Sequence, residues 1–402
     1  MTRFPQTRPA LYAAGPRWWV ADPPIGDVLV VVFLRGAADG LNIVVPTGDP
    51  AYYRLRPSLA IAPPDAARVP RLERALALDA QFGLHPALAP LMPAWQAEQL
   101  AVVHACGSPD ESRSHFRAME LMERGLAIEA GPASGWVARF LASRPSADAS
   151  PLRALAWGSS LPRSLAGVGA VSTLRDLAEA RLASAPSQGK DLRTIMGRLY
   201  SHAPGPLGAI GRETLQVVDR LEQATSDGHS ALPYPETDFG RGLRQTALLI
   251  RMQLGVQAVA LDLGGWDTHF AQGASAGWMA RLLDELASGL GAFHADLGQA
   301  WDRTTLVVMT EFGRRARENG SLGTDHGHGS VMLLMGGHVA GGRVHAQWPG
   351  LDDSQLVGPG DLAVTTDFRD ILAELCQRRL GVPAVGDIFP GFSPTPRGLF
   401  TG

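Results

Sequence analysis

The run DVLVVVFL at residues 27–34 constrains this chain more than any other stretch. It is continuous, rich in β-branched residues, and bounded by Gly26 and Gly36. A strand with one wet face alternates apolar and polar residues. This one does not alternate, so both of its faces are expected to be buried, as in a mostly parallel sheet covered by helices. Four later stretches read as strands too: QLAVVHACG (99–107), VQAVALDLGG (256–265), TTLVVMTEFG (304–313) and SVMLLMGG (330–337). Residues 238–255 and 275–298 carry apolar residues at helical spacing. The expected fold class is therefore α/β with a largely parallel sheet. Residues 27–402 are read as one domain, with a mostly helical insertion or cap at about 140–235, a segment rich in Ala, Ser, Pro and Arg. The proline-broken residues 1–26 form an irregular N-terminal extension.

In such sheets ligands bind beyond the carboxyl ends of the strands, so loops far apart in sequence meet there. The strand-end loops of this chain carry acids and imidazoles. Asp39 follows the first strand, and Asp267 and His269 follow the third. Asp325, His326 and His328 stand in GTDHGHG, between the fourth and fifth. Its glycines leave little side chain to pack, which argues against a core role. Mixed oxygen and nitrogen donors suit Zn²⁺ or Mn²⁺ better than Ca²⁺. Six such ligands exceed one tetrahedral site and match two ions sharing bridging groups, so one or two divalent ions are expected as cofactor. Taken alone, Asp39 in GAADGLN is better explained as capping a turn.

SPDESRSHF (108–116) supplies the candidate catalytic residues. Ser112 or Ser114 would sit at a helix N-terminus, where backbone N–H groups favour an anion. A serine hydroxyl held against a divalent ion ionises more readily and becomes a nucleophile. Arg113 is a candidate clamp for anionic oxygens. His115 is open between a substrate contact and a packing residue. Glu311, directly after a strand, is a candidate for orienting a ligand histidine. Arg314 and Arg315 are read as anion contacts or solvated charge.

Composition narrows the classes. The formal charge of −3 gives no reason to expect a nucleic-acid partner. No run approaches the ~20 apolar residues of a membrane span. The N-terminus lacks a continuous apolar stretch, so no intact signal peptide is read there. Cys106 and Cys376 both lie in apolar patterns and read as small buried hydrophobes.

The motifs VVFLRGAADGLNIVVP, SRSHF, LGGWDTH, TEFGRR, ENGSLGTDHGHG and TTDFRDILAEL occur in this order. Together they resemble the bacterial domain-of-unknown-function family 1501, over about residues 27–393. That family resembles the alkaline phosphatase and sulfatase superfamily. The resemblance implies an alkaline-phosphatase-like three-layer α/β/α sandwich and a metal-dependent hydrolase of phosphate or sulfate esters. Its substrate would be a small-molecule or polymer ester. By position, one ion would use Asp39, Asp325 and His326, and the other Asp267, His269 and His328. His338 and His345 are alternatives to His328. Ser112 or Ser114 would be the nucleophile. The resemblance also implies export, to the periplasm or beyond. Two other readings stay open: a single-ion hydrolase with direct attack by water, and a non-catalytic protein that keeps the fold to bind a polymer or partner.

Overall fold

The computed structural model describes residues 26–144, 152–169, 171–177, 189–205 and 230–401, with scattered positions between 208 and 222. The expected N-terminal extension lies outside the described residues apart from Gly26. The strands run in chain order as β1 (Val28–Leu34), β2 (Val44–Val45), β3 (Leu76–Ala77), β4 (Gly83–Leu84), β5 (Leu100–Gly107) and β6 (Ala154–Trp157). They continue as β7 (Ser172–Leu174), β8 (Ala258–Leu263), β9 (Thr304–Thr310), β10 (Ser330–Gly336), β11 (Arg343–His345) and β12 (Thr366–Asp367).

Nine of them form one sheet, in the order β11-β5-β10-β9-β1-β8-β6-β7, with β12 paired to β5. The strand read from DVLVVVFL is its centre. It pairs in parallel with β8 on one side and β9 on the other, and all seven residues are buried. β6 and β7 extend the parallel run, while β11 and β12 both run parallel to β5. Only β10 is reversed, antiparallel to both β9 and β5. The sheet is therefore mostly parallel, as expected. β2, β4 and β3 make a separate small sheet.

Successive side chains of β1 serve opposite layers, because a strand alternates its faces. Val28, Val30 and Val32 pack with Leu243 and Ala247 of helix Asp238–Arg251 and with Leu283, Leu286 and Leu290 of helix Trp278–Leu297. Leu29, Val31 and Phe33 join Trp136 and Phe140 of helix Trp136–Ser143 and Ile371 and Leu372 of helix Phe368–Glu374. Helices thus cover both faces. Cys106 and Cys376 are free thiols buried in the second of these cores.

The segment expected to be a helical insertion is not helical throughout. It supplies the strands β6 and β7 at the sheet edge as well as helix Gly189–His202. Its runs ALAW and STL were too short for periodicity to separate them from loop. Residues 145–151 and 178–188 of that segment lie outside the described residues.

The reversal of β10 has a consequence for position. β9 and β10 are antiparallel neighbours, so the chain joining them, residues 311–329, turns at the carboxyl end of the sheet. GTDHGHG therefore reaches the same edge as the loops after β1 and β8. Among the described residues, no helix is long and apolar enough to cross a membrane.

Two buried histidines brace the small sheet, His104 of β5 against β2 and His85 against the loop after β8. His104 Nε2 lies 2.9 Å from the Val44 carbonyl, and its Nδ1 accepts the Ala105 N–H at 2.7 Å. His85 Nε2 lies 3.0 Å from the Ala274 carbonyl, with Nδ1 accepting the Ala87 N–H at 3.1 Å. Each ring must be neutral to accept and donate in this way. Burial lowers both to about 4, against smaller opposite pulls from the backbone carbonyl each ring faces and from Asp39. The unfolded chain takes up these protons near the ordinary value of about 6.5, and the folded chain does so only near 4. Their stability contribution is thus complete above about pH 6.5 and is lost as pH falls toward 4. From pH 7 to pH 5 the unfolding free energy should drop by on the order of 2 kcal/mol per ring. Denaturant titrations at the two pH values would show this, with a smaller drop in His104→Gln.

Candidate metal centre

Three imidazoles and one carboxylate meet beyond the carboxyl end of the sheet. His115 opens helix His115–Arg124, which follows β5. Asp267 and His269 lie in the loop after β8, and His326 lies in the loop before β10. His326 Nε2 lies 3.0 Å from His115 Nε2, 2.9 Å from His269 Nε2 and 3.1 Å from Asp267 Oδ1. Asp267 Oδ1 also lies 3.1 Å from His269 Nε2, and Oδ2 lies 3.6 Å from His115 Nε2. Ligand atoms of His115, Asp267 and His326 all fall within 4.8 Å of one another, and His269 adjoins them at His326 and Asp267.

The far side of each ring determines what the near side offers. His115 Nδ1 lies 2.8 Å from Glu311 Oε1, His269 Nδ1 3.2 Å from Asp325 Oδ1, and His326 Nδ1 3.1 Å from the Arg113 carbonyl. A carbonyl and two ionised carboxylates can only accept, so each Nδ1 donates. In a neutral ring the inward Nε2 is then a bare lone pair. Three lone pairs facing one another beside a carboxylate repel unless a cation or a proton stands among them. Donor atoms around a tetrahedral zinc ion, at bonds of 2.0–2.1 Å, stand about 3.3 Å apart. Imidazoles anchored through Nδ1 on carboxylates and carbonyls are the usual support of such ligands. The residues present therefore fit a divalent cation.

The electrostatics agree. Burial opposes the charge on Asp267, but the hydrogen bond from Arg314 and the facing His326 ring outweigh it and hold the carboxyl at about 2. Burial also opposes the charge on Glu311. His115 and the backbone N–H groups of Gly36, Ala37 and Glu311 itself outweigh it, so this group too stays ionised. The Asn319 hydrogen bond is the chief cause that lowers Asp325. His115 is raised, chiefly by its hydrogen bond to Glu311, while burial lowers His326. The ionised carboxylates thus favour positive charge at the centre, while burial disfavours it on the His326 ring itself.

Arg314 fastens the loops together. Its guanidinium is fully buried. Nε donates to the Ala37 carbonyl at 2.7 Å and Nη1 to the Thr324 carbonyl at 2.8 Å. Nη2 reaches the Gly36 carbonyl at 2.6 Å, the Trp266 carbonyl at 3.0 Å and Asp267 Oδ1 at 2.7 Å. Its donors are taken by protein carbonyls and Asp267, so it is neither a free anion contact nor solvated charge. Two glycines of GTDHGHG exist for close approach. A Cβ at Gly323 would come within 2.4 Å of the His269 backbone, and one at Gly327 within 2.3 Å of Arg314.

Several expected residues stand elsewhere. Asp39 is buried, with both oxygens taken by Arg56 at 2.5 and 2.9 Å and by Gln272 at 2.7 Å. It is committed to a buried ion pair and does not join the imidazoles. His328 turns its Nε2 to the Ser108 carbonyl at 2.8 Å. His345 bonds the Ala340 carbonyl at 3.1 Å from within β11, and neither it nor His338 belongs to the cluster. Asp325 faces the outer nitrogen of His269 rather than the centre. The Arg113 guanidinium is bound to the buried Asp361, and its carbonyl, not its charge, serves the site. Ser112 Oγ accepts the Ser114 N–H at 3.2 Å. Ser114 caps helix His115–Arg124 by position but makes no side-chain cap hydrogen bond, and it is exposed. His115, left open by the sequence, is part of the centre. Its helix-start position beside a candidate nucleophile was the signal available for it.

The fold and this cluster define an α/β protein with a histidine–carboxylate centre at the carboxyl edge of its sheet. The chain belongs to the family described as protein of unknown function (DUF1501), whose model matches residues 27–383. No curated protein matches the sequence.

Breaking a buried ion pair by removing one partner costs about 3–5 kcal/mol. Asp39→Ala should therefore lower the unfolding free energy by about that amount in urea titration. A loss under about 1 kcal/mol would mean that Arg56 is not held by this carboxylate.

Proposed function

We propose that this protein is a metal-dependent hydrolase of phosphate or sulfate esters, holding one divalent ion, Zn²⁺ or Mn²⁺, among His115, Asp267, His269 and His326. The supporting observation is the convergence of three Nε2 atoms on one another and on Asp267 while each Nδ1 is anchored on an oxygen. The described residues contain one such group, and Asp39 and His328 point away from it, which favours one ion over two. The ester class, and the alkaline-phosphatase-like version of this sandwich, rest on the resemblance of the family to the alkaline phosphatase and sulfatase superfamily.

A bound ion would supply Lewis acidity toward the ester oxygens. The chain supplies the rest. Asp267 and the three imidazoles form the donor set, and Glu311, Asp325 and the Arg113 carbonyl fix the ring orientations. Ser114 is a better nucleophile than Ser112. Its hydroxyl makes no bond among the described residues, and the next residue is His115. The same helix start, lacking a side-chain cap, leaves backbone N–H groups free for anionic oxygens.

His326→Ala and Asp267→Ala should abolish both bound metal, by elemental analysis, and turnover of aryl phosphates or sulfates. Full activity in a metal-free variant would refute the proposal. Ser114→Ala should retain the metal and lose turnover. Turnover retained in the Ser112→Ala/Ser114→Ala double variant would select direct attack by water instead. Asp325→Ala, which frees the outer nitrogen of His269, should weaken metal binding by about 10–100-fold.

A further inference from the structure

We propose that Gln272 is a positioning residue that ties the two loops of the centre to the buried Asp39–Arg56 pair. This rests on the metal reading above and assigns a task to residues that take no part in the donor set. Gln272 is fully buried in the loop between His269 and helix Trp278–Leu297. Its Nε2 donates to Asp39 Oδ2 at 2.7 Å. Its Oε1 accepts from the Thr268 hydroxyl at 2.8 Å and from the Thr324 hydroxyl at 2.8 Å.

The direction of every bond in this chain follows from one charge. Arg56 donates to both oxygens of Asp39. An ionised carboxylate can only accept, so Gln272 must present its amide NH₂ to Asp39. The amide oxygen then faces the other way, and both threonine hydroxyls must donate to it. Thr268 lies between Asp267 and His269, and Thr324 lies directly before Asp325 and His326. The backbone repeats the link, with Thr324 N–H donating to the Thr268 carbonyl at 3.1 Å and Gln272 N–H to the Leu322 carbonyl at 2.9 Å. One amide oxygen thus pins both loops to a common point. All four polar side chains are buried, so water does not compete for these bonds. Asp39, a candidate ligand by sequence, acts here at two removes, by fixing the amide that fixes the threonines.

The test uses the full chain with Thr268→Val and Thr324→Val, singly and together. Valine keeps the threonine shape and removes the hydroxyl. Thr268→Ser and Thr324→Ser restore it. Two readouts apply: Co²⁺ affinity and visible spectrum by chelator competition, and the ¹⁵N–¹H imidazole spectrum of the metal-free protein. The double valine variant should bind Co²⁺ about 10–100-fold more weakly, with an altered spectrum, and the serine variants should restore both. Its imidazole spectrum should show His269 and His326 no longer held as single Nδ1–H tautomers. Gln272→Glu, which sets a carboxylate against Asp39, should act in the same direction. Unchanged Co²⁺ affinity and unchanged imidazole signals in the double valine variant would overturn the tether and leave the metal reading standing. No Co²⁺ binding by the unaltered protein would overturn the metal reading, and the imidazole spectrum alone would then decide whether the tether exists.

Discussion

A buried guanidinium governs the carboxyl edge of the sheet in this protein. Arg314 enters from the end of β9 and binds carbonyls from the loop after β1, the loop after β8 and the loop before β10, together with Asp267. A buried positive charge is tolerable only when its N–H groups are met and its charge is opposed. Each carbonyl is held where the guanidinium needs it, so three loops from separate parts of the chain share one geometry. The imidazoles ride on those loops or dock against them. A lysine could not do this, because its ammonium lacks the planar fork that reaches several acceptors at once.

A second buried cation works beside it. Arg56 pairs with Asp39, bonds the Ala316 carbonyl at 2.9 Å and the Arg315 carbonyl at 2.9 Å, and shares Asn42 with Tyr52. The strand-end aspartate and the arginines around it thus form a rigid polar floor. The centre above it is less enclosed, with Asp267 and His269 partly open to solvent. Rigidity below and access above is what a site needs if it is to hold an ion in fixed geometry and admit an ester.

The sheet order explains why the donors converge. β1, β8 and β9 are adjacent and parallel, so their carboxyl ends are neighbours. β5 reaches the same edge because the reversed β10 separates it from β9, and it delivers His115 at the start of the next helix. Four stretches of chain, from Arg35 to His328, arrive at one place without any of them being near another in sequence.

Much of this was legible in the residues. The unalternating run at β1, the parallel sheet, the two long helices and the strand-end placement of Asp267, His269 and His326 all follow from local pattern, because burial on two faces writes itself into composition. Glu311 was readable as the partner of a histidine, though not of which one. The short strands β6 and β7 were not readable, since three or four residues carry no period. Nor was the division of labour among the acids. Asp39 and Asp267 look alike in sequence, each an aspartate in a glycine-bearing loop. They differ because Arg56, 17 positions from Asp39, takes both oxygens of one, while Arg314 takes a single oxygen of the other. Sequence alone determined which residue types reach the sheet edge. Only the tertiary structure decided which face the imidazole centre and which are consumed by buried arginines, because a carboxylate's role is set by the first cation that neutralises it, and that partner is chosen in space.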